Sequence, residues 1–305
     1  MTPSIRAVAD RYDHLYGFSM VSFRPVAPYI DLVHRPSRGA NLFSDTCEGT
    51  AVSDLTGRTV LITGASSGIG KDSARALAQA GASVAAQYCS NRAGAAEALA
   101  GATPDRALLL QADFRAEDAA TTMWKSAVGW RGGIDVVVCN AAVMPQAALE
   151  DSDDEWAASW DEALQINVVQ PAQLVRQAVA HFVERGGGVL IVLSSWVAHR
   201  GSGNPRLSAY SASKAAMAAF AKTVARHYAK QGVLVYTIAP GVVRTEMSYR
   251  AAESQGGVQA VTDGLAMGEW VPTSDLADLI TYLAGGTCRH LTGATLDVNG
   301  ATYMH

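Results

Sequence analysis

The stretch Leu55–Leu77 constrains this chain more than any other. It reads Leu-Thr-Gly-Arg-Thr-Val-Leu-Ile-Thr-Gly-Ala-Ser-Ser-Gly-Ile-Gly-Lys-Asp-Ser-Ala-Arg-Ala-Leu. Thr59–Thr63 is a short apolar, β-branched run, as expected of a strand buried on both faces. Gly64, Gly68 and Gly70 come next, with Ser66, Ser67 and Ile69 between them. An Ala-rich helical pattern then sets Ala74, Leu77 and Ala78 on one side. A strand, a tight glycine turn and a helix aim unpaired N–H groups and the positive helix end at an anion. Glycine also lets a pyrophosphate approach the backbone without meeting a Cβ. The spacing is Gly-x3-Gly-x-Gly rather than Gly-x-Gly-x-x-Gly, and a glycine triplet alone also suits an ordinary strand–helix turn.

The chain downstream of the turn decides between these readings. Apolar strand patterns recur at Ser83–Tyr88, Ala107–Gln111, Ile134–Cys139, Val189–Leu193, Val233–Ile238 and Ala294–Val298. Helical patterns lie between them at Ala93–Ala100, Ala116–Trp130, Asp153–Val183, Ala209–Ala229 and Thr273–Leu283, the third weakened near Pro171. Such alternation predicts an α/β fold: a doubly wound, Rossmann-type parallel sheet with helices on both faces, over residues 55–305. Residues 1–54 read differently. Pro3, Pro25, Pro28 and Pro36 interrupt any periodicity, although Ile5–Tyr16 could form a short helix. This part is expected to be an N-terminal extension, either an accessory segment or a partly disordered tail.

Composition narrows the partners. Of 305 residues, 49% are hydrophobic, enough for one large core. The formal net charge of −4 gives no footprint for nucleic acid. No apolar run is long enough to span a membrane, and the N-terminus lacks the pattern of a secretory signal. Cys47, Cys89, Cys139 and Cys288 are scattered without metal-ligand spacing. The two at predicted strands are expected to be buried free thiols, which fits a reducing, cytoplasmic setting.

Several residues could carry chemistry. Tyr210-Ser-Ala-Ser-Lys214 opens a helix, so the Tyr and Lys share a face with Cβ atoms roughly 6 Å apart. An ammonium beside a phenol stabilises the phenolate and suits it to proton transfer. Ser194-Ser195, Asn140 and Asp113 close strands five, four and three, where parallel sheets bind ligands. Asn167 lies amid apolar neighbours and needs partners there. Pro240-Gly241 ends the sixth strand with a forced turn.

Taken in chain order, Thr63-Gly64-Ala65-Ser66-Ser67-Gly68-Ile69-Gly70, Asn140-Ala141, Asn167, Ser195, Tyr210-x-x-x-Lys214 and Pro240-Gly241 resemble the short-chain dehydrogenase/reductase family, single-domain type. The resemblance covers about Asp54 to His305. It implies hydride transfer between a nicotinamide cofactor and a small-molecule carbonyl or secondary alcohol. By the same resemblance Tyr210 exchanges the proton, and Lys214 holds the nicotinamide ribose and depresses the pKa of Tyr210. Ser195 would position the substrate oxygen, and Asn167 would anchor a water leading to Lys214. Val243 and Thr245 would meet the carboxamide, and Asp113 and Phe114 would border the adenine. Two departures stand out. The family's Asn-Asn-Ala-Gly reads Cys139-Asn140-Ala141-Ala142, and the stretch from Ser195 to Tyr210 is longer than usual, with His199–Pro205 expected to loop beside the pocket. A nucleotide-binding scaffold without catalysis is the alternative; it would not need both Tyr210 and Lys214. An epimerase is a second, and its relatives usually carry another glycine spacing.

The end of the second strand bears on the nucleotide. An acidic residue there would bind the free 2′-hydroxyl of NAD and repel a phosphate. Here the strand ends at Tyr88 and continues into Cys89, Ser90, Asn91 and Arg92, which offer donors and no carboxylate. NADP(H) is therefore the expected cofactor, with NAD(H) as the other possibility. The Gly- and Ala-rich Glu246–Val271 is expected to form a substrate lid. The family resemblance implies a homo-oligomer, a tetramer, joined through Ala148–Val183 and Ala209–Ala229 and through Leu296–Met304.

Overall fold

The computed structural model describes residues 53–304; the expectations for the N-terminal extension lie outside them. Seven strands form one sheet: β1 Thr59–Ile62, β2 Ser83–Tyr88, β3 Ala107–Gln111, β4 Val136–Cys139, β5 Gly188–Leu193, β6 Val233–Pro240 and β7 Thr295–Val298. They lie in the order β3-β2-β1-β4-β5-β6-β7, and every pair is parallel. The order reverses at β1, which pairs Val60 with Val84 on one side and with Val136 on the other.

Successive strand residues feed two cores, because side chains alternate across a sheet. Val60, Ile62, Val84 and Val136 face α1 (Gly68–Gln79) and α10 (Thr273–Ala284), where Leu77, Leu276 and Ile280 are fully buried. Leu61, Ala85, Val137 and Leu190 face α3 (Ala119–Arg131), α5 (Gln170–Glu184) and α7 (Ser208–Tyr228), with Trp124, Leu174, Phe182 and Met217. Burial on both faces explains why the inner strands read as unbroken apolar runs.

The other helices are α2 (Arg92–Ala98), α4 (Asp153–Leu164), α6 (Val197–Arg200), α8 (Glu246–Glu253) and α9 (Gly257–Asp263). Two expectations change here. The long helix over Asp153–Val183 is two helices joined by a π-helical turn, Gln165–Val169. Pro171 has no N–H for the carbonyl four residues back, that of Asn167, so regular winding cannot continue through this point. The lid region holds two short helices, α8 and α9, and its ends are tied by a parallel bridge between Val243 and Val271. Trp270 stacks on Tyr249 of α8, with ring centres 4.7 Å apart.

Candidate active site

A cleft of about 720 Å³ runs along the carboxyl ends of the strands. Its first wall is the glycine turn. Gly64 and Gly68 have φ of 69° and 52°, the left-handed region that favours glycine. Gly70 is required by space: a Cβ there would lie 2.1 Å from the Gly64 carbonyl oxygen and 2.4 Å from Asn140 Nδ2. Asn140 holds the turn from the end of β4. Its Nδ2 donates to the carbonyl oxygens of Thr63 at 2.9 Å and Gly64 at 3.2 Å. Thr63 Oγ1 in return accepts from the N–H groups of Asn140 and Ala141, both at 3.0 Å. At the start of α1, Ser67 makes no side-chain cap and no acidic residue sits in the first turn. The leading N–H groups are thus left to an anion, and the residues fit a dinucleotide's pyrophosphate.

At the adenosine end the lining includes Gln87, Cys89, Asp113, Phe114 and Arg115. Gln87 Oε1 accepts from Gly64 N–H, and its Nε2 donates to the Ala112 carbonyl, both at 2.7 Å. One amide thereby ties the glycine turn to the end of β3. Asp113 is held by Arg115, which also pairs with Glu162 at 2.6 Å.

At the other end stand Ser195, Tyr210 and Lys214. Ser194 Oγ donates to the Lys214 carbonyl at 3.1 Å and pins α7 to the end of β5. Lys214 is 5% exposed, and its Nζ donates to the Leu193 carbonyl at 2.8 Å. Burial pulls the Lys214 ammonium down to about 8. Tyr210 keeps some exposure to the cleft, yet its dense surroundings push the phenol up to about 12, with Ser195 drawing it the other way. Lys214 Nζ is 5.7 Å from the Tyr210 ring centre. The family resemblance implied a lowered Tyr210; in the protein alone, desolvation raises it against the hydrogen bond from Ser195.

From across the cleft, Thr245 reaches over the glycine turn: a Cβ on Gly68 would lie 3.0 Å from Thr245 Cγ2. Pro240, Gly241 and Val243 line the same side, with Gly241 pressed against Asn299 and Trp196. Ser66, Ile69 and Ala141 also line it.

Five expected site residues do not line the cleft. Tyr88 is buried in the sheet. Ser90, Asn91 and Arg92 are exposed beyond Cys89, which takes the lining place. Asn91 is engaged elsewhere: it caps α2 by accepting from Gly94 N–H at 2.9 Å, and it donates to the Ser66 carbonyl. Asn167 lies behind the wall. Its Oδ1 accepts from Val143 N–H at 2.8 Å; its Nδ2 donates to the Val143 carbonyl and to Ser213 Oγ. Both donors of this side chain are used, so a water held here would have to donate to Oδ1 or meet the backbone. Sequence reading missed Gln87, Cys89 and Arg115, and on the substrate side Val143, Met144 and Gln146, whereas Met247 and Arg250 line the cleft from the segment expected to be a lid. A polar Gln near the end of an otherwise apolar strand was the one available signal. Of the thiols, Cys139 is buried and pushed up to about 12, whereas Cys89 is exposed rather than buried.

The family model described as Enoyl-(Acyl carrier protein) reductase matches residues 64–301. The chain belongs to the short-chain dehydrogenase/reductase family. Nodulation protein G of a Rhizobium species is 32% identical over 82% of this chain and 99% of its own length. 3beta-hydroxysteroid dehydrogenase 1 of Eggerthella lenta is 31% identical over 83% and 96%. Among solved structures, 3-ketoacyl-(acyl-carrier-protein) reductase from Brucella melitensis, complexed with NADH, superposes with a TM-score of 0.72 at 27% identity, covering 82% of this chain and 100% of that one. As a family member the chain is an NAD(P)-dependent oxidoreductase. Among the described residues no helix is long and apolar enough to cross a membrane, and no His, Cys, Asp and Glu cluster suits a metal.

Proposed function

We propose that this protein interconverts a small-molecule carbonyl and its secondary alcohol with NADP(H) in preference to NAD(H). One observation carries the reading: Ser195, Tyr210 and Lys214 converge in the same cleft as an uncapped, glycine-walled helix start. The nicotinamide ring supplies or accepts the hydride when bound. Ser195 orients the substrate oxygen. Tyr210 gives its proton to that oxygen during reduction and takes it back during oxidation. Lys214 holds the ribose and sets a positive charge beside the phenolate. Asn140 and Gln87 keep the glycine turn in shape, and Asn167 fixes the Val143 wall behind Tyr210. Gly64, Ser66, Ser67, Gly68, Ile69 and Gly70 receive the pyrophosphate; Asp113 and Phe114 receive the adenine; Val243 and Thr245 receive the carboxamide.

The preference for NADP(H) is supported by the stretch after β2, where residues 89–92 contain no carboxylate and Ser90 and Arg92 stand exposed beside Cys89. The test is consumption of NADPH and NADH, each with a panel of ketones, oxoacyl thioesters and steroid ketones. Turnover with a higher kcat/KM for NADPH is expected. Binding of both nucleotides with no turnover would leave a sensor or scaffold, and a clear NADH preference would remove the nucleotide assignment.

A further inference from the structure

The stretch between Ser195 and Tyr210 that departs from the family's usual length has a definite place beside the cleft. Its residues 202–206 link the segments that adjoin the two walls of the substrate half. One wall is the segment after β4, with Val143, Met144 and Gln146; the other is lid helix α8, with Met247, Arg250 and Ala251. Toward the first wall the attachment is twofold. The Arg206 carbonyl accepts from Ala147 N–H at 3.1 Å, and the Arg206 guanidinium meets Asp151 at 3.3 Å, a carboxylate held in place because the same oxygen accepts from Ala148 N–H at 2.7 Å. Toward the lid there is, among the described residues, a single hydrogen bond. Asn204 Nδ2 donates to Ser254 Oγ at 3.1 Å, and Ser254 Oγ donates to the Ala251 carbonyl at 3.0 Å. Asn204 is itself oriented, since its Oδ1 accepts from Arg206 N–H at 3.0 Å and its N–H donates to Ser202 Oγ at 3.1 Å. Leu207 is buried directly after it, and α7, which carries Tyr210, begins at Ser208.

We infer that Asn204 and Ser254 form a catch that sets how far the lid stands from Tyr210, and that this catch selects compact carbonyl substrates over long or fused-ring ones. The inference rests on the carbonyl-reductase reading above and names the substrate class within it. Asn204 is a positioning residue: it touches the lid, and the lid touches the substrate. One hydrogen bond between partly exposed groups has a small net worth, so the catch opens readily for product release. The opposite wall, held twice by a loop that runs directly into α7, stays fixed. A bulky substrate needs the open lid and loses the catch; a compact one keeps it.

The experiment compares Asn204→Ala, Ser254→Ala and the conservative Ser254→Thr in the full chain. For each variant, kcat/KM is measured for a compact ketone and for a bulky one, with hydrogen exchange of residues 246–256 followed in the absence of turnover. Both alanine variants are expected to lower the compact-to-bulky ratio about 3- to 10-fold, mainly through KM, with nucleotide affinity unchanged. The double variant should lose no more than either single one, Ser254→Thr should restore the ratio, and exchange of the lid should rise in the alanine variants. An unchanged ratio in both alanine variants, or additive losses in the double variant, overturns the catch. If the unaltered protein turns over no carbonyl at all, the function reading fails by itself. Lid exchange then decides the catch: a rise in the alanine variants upholds it, and no rise overturns it.

Discussion

At the scale of the residue, the proposed chemistry rests on Tyr210 and Lys214, and burial shifts the two in opposite directions. Tyr210→Phe removes only the proton-bearing oxygen. Its kcat is expected to fall about 10²- to 10⁴-fold while nucleotide affinity holds. More than a tenth of the activity remaining would take the role from Tyr210. Lys214 gives a prediction about pH. Its folded-state value of about 8 lies below the ordinary lysine value of 10.5, because burial disfavours the charge. Between these values the unfolded chain binds more protons than the folded one, so stability rises with pH there. The gain is complete above the unfolded value and is lost as pH falls through about 8. Relative to Lys214→Met, the ligand-free protein should gain stability from pH 8 to 10 by at most about 1.4 kcal/mol per pH unit in denaturant titrations. Parallel curves for the two proteins would show that the ammonium is not desolvated. The Tyr–Lys spacing was plain in the sequence. The raised phenol was not, because spacing gives proximity and says nothing of how much water the fold removes.

At the scale of the element, the strands were legible because burial on both faces leaves them nearly continuous apolar runs. The π-helical turn around Asn167 was not. Its partners, Val143 and Ser213, come from distant parts of the chain, and only Pro171 hinted at a break. The two lid helices escaped for another reason: each is too short to show a period. Nor could the sequence say that Asn91 caps α2 instead of reaching toward a nucleotide. That cap brings α2 against the glycine turn, where a Cβ on Gly94 would lie 2.1 Å from the Ser66 carbonyl oxygen. Gly94→Ala is therefore expected to cost about 1–3 kcal/mol through overpacking and to weaken dinucleotide binding, although Gly94 touches no ligand. Gly101→Ala, with nothing within 4 Å of its Cβ, is the control and should change neither. Calorimetry and nucleotide titration of both variants check this. Equal melting temperatures for the two would dismiss the contact.

At the scale of the whole molecule, the expected assembly is a homotetramer. Leu164 and Val169 are 37% and 41% exposed between α4 and α5, and Met304 is 78% exposed beyond β7, where one copy alone leaves apolar surface in water. Light scattering at micromolar concentration should give four times the 32.0 kDa of one chain, and a monomer would refute it. Residues 1–54 belong to a separate expectation. The part of the chain matched by Nodulation protein G covers 99% of that protein, so the catalytic unit is expected to work alone. A variant lacking residues 1–52 should keep its kcat.

The strand order also sets a timetable for synthesis. β1 lies inside the finished sheet, between β2 and β4, yet its two neighbours leave the ribosome far apart in time. β2 arrives soon after it, while Val136 of β4 comes 76 residues after Val60. At ordinary rates of translation, the β4-facing edge of β1 waits about 4–15 s for its partner. During that interval the nascent chain presents Val60, Leu61 and Ile62 as an unpaired apolar edge, the kind of edge that recruits other strands. The glycine turn cannot close either, because Asn140, which holds it, comes after β4. The nucleotide site is therefore a late product of folding, and chains stalled before residue 140 should aggregate rather than bind nucleotide.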